Sequence, residues 1–148
     1  MQDNRNTALH AAGSNGHLDV TRVLLEKGAN LRAADASCST ALHIAAKSEY
    51  LNIVQYLGDS FAPIDMRNAK KETVLLVAAF EGHEKIVRFL IEQGAGIGVW
   101  DTEGKTALDI ATVNGSTAII QVLKDRAERK KLVFSIPHIE LNTVFFDR

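Results

Sequence analysis

Thr7, Thr40, Thr73 and Thr106 stand at a fixed interval, since 40−7, 73−40 and 106−73 all equal 33. Each opens a similar string: TALHAAGSNGHLDVTRVLLEKGANL, TALHIAAKSEYLNIVQYLGDSFAPI, TVLLVAAFEGHEKIVRFLIEQGAGI and TALDIATVNGSTAIIQVLK. A pattern that recurs at such a period dictates stacked units rather than one closed core. A single short unit cannot bury its own apolar face, so its neighbours must do it.

Each unit reads as two helices. The threonine is followed by small and leucine-like residues, as in Thr7-Ala8-Leu9-His10-Ala11-Ala12, which makes a short helix whose alanines let neighbouring helices approach closely. A second helix follows Gly16-His17 or Gly82-His83. There Leu18, Val20, Val23, Leu24 and Leu25, or Ile86, Val87, Phe89, Leu90 and Ile91, form a broad apolar face at helical spacing. Gly28 and Gly94 supply the left-handed residue that ends this helix, and a hairpin-like turn leads onward.

With its TALH strings, its glycine-histidine pairs and its period, the chain resembles the ankyrin repeat family over about residues 2–124. The resemblance implies an all-α solenoid of four stacked helix-turn-helix units with hairpin loops and a concave side. The repeats would span about 2–34, 35–67, 68–100 and 101–124, followed by a helix extension and non-repeat tail over 125–148. Three departures stand out. Repeat 2 has Glu49-Tyr50 where the family has Gly-His, and Phe61 where a left-handed glycine belongs, so the helix is expected to end early at Gly58 with an atypical loop over Asp59 to Pro63. Repeat 3 has Leu76 in place of a histidine that would tie it to the next loop, and repeats 2 and 3 are expected to be the softer part of the stack. Repeat 1 begins almost at Met1 with no polar cap, which suggests a fragment, a short variant or half of an assembly.

The stretch Gly104-Lys105-Thr106 raises the question of a phosphate-binding loop. That motif needs a glycine five places before the second one, and residue 99 is Val99. In the repeat register Thr106 is simply the fourth threonine, and Gly104 falls where a turn belongs. Nor is there a catalytic constellation. His10, His17, His43 and His83 all occupy repeat positions, where the resemblance gives them structural roles. Cys38 lacks an orienting partner for nucleophilic work. No metal-ligand spacing occurs, so neither metal nor cofactor is expected, and the chain reads as non-enzymatic. The net charge of −1 gives no pull toward nucleic acid, no apolar run is long enough for a bilayer, and one cysteine fits a reducing compartment; a cytoplasmic or nuclear protein is expected.

The resemblance implies a protein-interaction module that meets its partner through hairpin tips and the concave face. By register, Lys47, Phe80 and Val113 share one place in successive units, with Trp100 on the hairpin between the last two. Arg67, Lys70, Glu72 and Lys105 would rim them. Most other residues at such places are small or polar, so exposed apolar groups there are candidate anchors for a protein partner. The alternatives are a structural or self-assembling unit, with the Val- and Phe-rich tail as an adhesive segment, or an engineered ankyrin binder.

Overall fold

The repeated threonines act as helix caps. In the computed structural model, which describes residues 7–135, each has extended backbone, with φ between −80° and −84°. Its hydroxyl accepts the amide of the residue three places on. Such a cap satisfies one of the four amides that a helix start leaves unpaired. Among the described residues there are eight helices: α1 (Ala8–Asn15), α2 (Leu18–Glu26), α3 (Ala41–Lys47), α4 (Leu51–Asp59), α5 (Val74–Glu81), α6 (Glu84–Glu92), α7 (Ala107–Asn114) and α8 (Thr117–Ser135). They form four pairs, and each of the first three pairs packs on the next.

Small residues set the spacing of the inner helices. Ala45, Ala46, Ala78, Ala79 and Ala111 are all fully buried where α3, α5 and α7 meet. On the outer helices, Ile53, Ile86 and Ile119 fill one layer and Leu57, Leu90 and Leu123 the next, each at most 3% exposed. Burying one such side chain stabilises by about 1.5–3 kcal/mol, which is how helices of seven to nine residues, too short to persist alone, are held.

Repeat 2 departs from its expected shape. Rather than stopping at Gly58, α4 continues to Asp59 and has the same nine residues as α2 and α6. Phe61 takes the left-handed conformation itself, at φ 65°, where Gly28 and Gly94 have 85° and 88°. The cause is the closing bond. Ala62 donates to the Leu57 carbonyl at 3.0 Å, just as Ala29 donates to Leu24 and Ala95 to Leu90, and Ala62 is buried. These tertiary gains outweigh the preference of a bulky residue for negative φ. Glu49 does the same in the place of Gly16, Gly82 and Gly115, with φ 65°. Beside it, Tyr50 fills the space over Gly16, where a Cβ would lie 2.6 Å from its ring.

Leu76 is 1% exposed and belongs to the core. The tie it forgoes is visible in its neighbours. In repeat 1 the Thr7 amide donates to His10 Nδ1 at 3.3 Å, so Nε2 carries the hydrogen and donates to the Ser39 carbonyl at 2.8 Å. His43 repeats this with the Thr40 amide and the Glu72 carbonyl, at 3.2 and 3.0 Å.

Candidate functional site

The hairpins between the helix pairs are built on one side chain each. Asp35 Oδ1 accepts the amides of Ser37 and Ser39, Asn68 Oδ1 those of Lys70 and Glu72, and Asp101 Oδ1 those of Glu103 and Lys105, all at 2.8–3.0 Å. The left-handed residue of each turn is Cys38, Lys71 or Gly104. Successive hairpins then join at their tips: the Ala69 amide donates to the Ser37 carbonyl at 2.9 Å and the Thr102 amide to the Lys70 carbonyl at 3.1 Å. This accounts for the Gly-Lys-Thr string. Gly104 turns the chain, Lys105 gives its amide to Asp101, and Thr106 caps α7. The amides a phosphate would need are already bonded, and the Lys105 ammonium pairs with Glu103 at 2.9 Å. That bond raises the Lys105 pKa above its ordinary value, with nearby Asp101 and Asp109 adding to it.

Hairpins and inner helices enclose a concave trough of about 810 Å³ running from repeat 2 to repeat 4. Ile44, Val77 and Ile110, one register position in three units, contribute apolar floor. Next to them lies the series Lys47, Phe80, Val113. Phe80 is 61% and Val113 75% exposed, an unusual condition for apolar groups on adjoining helices. Asn114 Nδ2 donates to the Phe80 carbonyl at 3.0 Å and fixes the two helix ends relative to one another. Lys70, Glu72 and Lys105 line the opposite wall. Glu72 is held by Asn68 Nδ2 at 2.8 Å, whereas Lys47 and Lys70 form no ion pair with another described residue.

Six of the eight sequence-derived candidates therefore line one trough: Lys47, Lys70, Glu72, Phe80, Lys105 and Val113. The other two lie apart. Trp100 starts the last hairpin, bridged to Thr106 through backbone, and is 59% exposed. Arg67, its equivalent one unit earlier, donates through Nε to the Lys71 carbonyl at 3.0 Å and through its other guanidinium nitrogen to the Trp100 carbonyl. Arg67 thus staples two hairpins together. Sequence reasoning passed over Phe61, which is 93% exposed at the end of α4, because the expected atypical loop gave no reason to place its side chain in solvent.

Three of the histidines hold structural bonds. Besides His10 and His43, His83 Nε2 meets the Lys47 carbonyl at 3.1 Å and its Nδ1 lies 3.6 Å from Glu49. Burial pushes the His43 pKa below its ordinary value, against the opposing pull of Glu72, so the ring is kept neutral. Among the described residues no group of three or more His, Cys, Asp or Glu side chains could hold a metal, and no helix is long and apolar enough to cross a membrane. Of the two adhesive stretches of the tail, residues 130–134 belong to helix α8 rather than to a strand, and residues 144–146 lie outside the described residues.

Comparison with known families gives a match over most of the chain. The model described as Ankyrin repeats (3 copies) fits residues 1–68 and again residues 60–132. No curated protein matches the chain.

Proposed function

Since the chain belongs to the ankyrin repeat family, whose units generally serve protein–protein interaction, we propose that it is a non-catalytic recognition module that binds a protein through the concave trough of repeats 2–4. The observation that carries this reading is the exposed pair Phe80 and Val113, side by side in register and bordered by the ammonium groups of Lys47 and Lys70, which form no ion pair among the described residues. Nothing in the stack requires an aromatic ring at 61% exposure there. Covering it would remove much of the roughly 150–250 Å² an aromatic side chain can bury, a contribution of hot-spot size at about 25 cal/mol per Å². The expected ligand segment presents an apolar side chain to Phe80 and Val113 and a carboxylate toward Lys47 or Lys70. Trp100 extends the contact at the hairpin edge, whereas Arg67 acts through the hairpins it joins. In this reading the trough recognises and positions a partner, and no bond is made or broken.

The test is affinity capture from an extract of the source cells, comparing the intact chain with a Phe80→Ala/Val113→Ser variant at equal folded concentration. A protein retained by the first and lost by the second identifies the partner and supports the trough. Identical captures by both would refute the location.

A further inference from the structure

The two ends of the stack are chemically unlike. In repeats 2, 3 and 4 the surface turned toward the preceding unit is buried: Ile53, Ile86 and Ile119 are 0–1% exposed and Leu57, Leu90 and Leu123 at most 3%. The same register positions in repeat 1 are Val20, 47% exposed, and Leu24, half-buried. Val23 is also 47% exposed, and Ala8 is exposed, although Ala41, Val74 and Ala107 at the place of Ala8 are buried. The face made by α1 and α2 thus has the apolar character of an interior interface.

The opposite end does not. The positions that face the following unit are Gly13, Ala46 and Ala79 in repeats 1 to 3, all buried, but exposed Thr112 in repeat 4. Likewise His10, His43 and Leu76 give way to exposed Asp109, and Leu25, Gly58 and Ile91 to exposed Lys124. The Asp109 carboxylate is turned to local capping of Thr106, at 2.9 Å from its amide. Polar substitution of this kind marks a terminal surface, and the described positions compared in repeat 1, Ala8, Val20, Val23 and Leu24, show none of it.

We infer that the Ala8, Val20, Val23 and Leu24 face is a docking surface for a further helix pair of the same repeat type, one presenting the small, apolar following face seen in repeats 1 to 3. The interior interfaces specify this occupant. At the place of Val23, Phe89 packs over Gly58 so closely that a Cβ there would lie 2.8 Å from the ring. At the place of Ala8, the Ala41 carbonyl lies over Gly13, 3.2 Å from where its Cβ would be. Each contact joins a projecting group to a small residue on the other unit. Two copies of the repeat 1 face would set projecting valines against each other, and repeat 4 of a second copy would bring Asp109, Thr112 and Lys124 against them. Neither supplies the small seat.

The test uses the full chain with a copy of residues 35–67 fused in register ahead of Gln2, and the Val20→Glu/Val23→Glu pair made in both the fused and the original chain. The original chain is expected to keep its urea midpoint with the glutamates, because those positions are exposed. The fused chain should unfold in one transition at a higher midpoint, with amide exchange around Val20 to Leu24 slowed by about tenfold or more. In the fused chain the glutamate pair should abolish both gains. An added unit that melts separately without slowing exchange overturns the inference. So does equal damage by the glutamates in both chains, or a dimer of the original chain that the glutamates dissociate in sedimentation.

Discussion

Replacing Phe61 by glycine should make the protein more stable, although it removes a large apolar side chain. The ring is 93% exposed, so truncation forfeits almost no packing. What it relieves is backbone strain: φ is 65°, a conformation that costs an L residue about 1–2 kcal/mol. Glycine avoids that cost and loses about 0.5–1 kcal/mol through its greater freedom in the unfolded chain. The net expectation is a gain of about 0.5–1 kcal/mol, which for a chain of this size raises the melting temperature by about 1–4 °C. The helix end should be unchanged, because its closing bond, Ala62 amide to Leu57 carbonyl at 3.0 Å, needs no side chain at position 61. Thermal and urea unfolding of Phe61→Gly and Phe61→Ala separate the causes. Alanine keeps the strain while removing the ring, so it should lie within about 0.5 kcal/mol of the parent. An alanine variant that gains as much as the glycine variant would refute the argument, since the benefit would then come from losing the ring.

Gly58→Ala should have the opposite sign: its Cβ would fall 2.8 Å from the Phe89 ring, so urea unfolding is expected to report a loss of about 1–3 kcal/mol. Asp101→Ala leaves the Glu103 and Lys105 amides without their acceptor and should lower stability by about 1–2 kcal/mol in thermal melts, with exchange quickened at both amides. His43 links stability to pH. Its folded pKa is depressed by burial, so the unfolded chain takes up the proton first as pH falls through about 6.5. The contribution of the neutral ring is therefore complete above that pH and declines below it. His43→Leu should flatten this part of the stability profile between pH 7 and 5, and an unchanged slope would assign the dependence to other groups.

The parts of this structure legible from sequence are those in which local chemistry and period agree. Thr7, Thr40, Thr73 and Thr106 fix the helix starts because a hydroxyl cap works over three residues of chain. Once those starts are in register, the proximity of Phe80 and Val113 follows from counting. Phe61 defies the same reasoning, because a weak preference at one φ angle is set against backbone bonds and burial contributed by neighbours. For Arg67 the sequence reveals only a charge, which makes it a rim cation by register. Its actual partners are carbonyl oxygens of Lys71 and Trp100, which are brought within reach only by the way adjacent hairpins lie together.

The Gly-Lys-Thr string makes the same point about motifs. A phosphate loop and this hairpin both use glycine to turn the chain, but they differ in where the amides point. Here the Glu103 and Lys105 amides go to Asp101, and the Thr102 amide goes to Lys70 of the neighbouring hairpin. The backbone is thereby spent on joining units, and in the proposed reading recognition falls to side chains that the stack does not need. The series Ser14, Lys47, Phe80 and Val113 meets that description: all four are exposed, and their chemistry runs from polar to cationic to apolar on helices of seven or eight residues that keep the same start. The units can be alike in their bonds while the trough differs along its length, so a partner bound as proposed would read the residues on which folding places least demand.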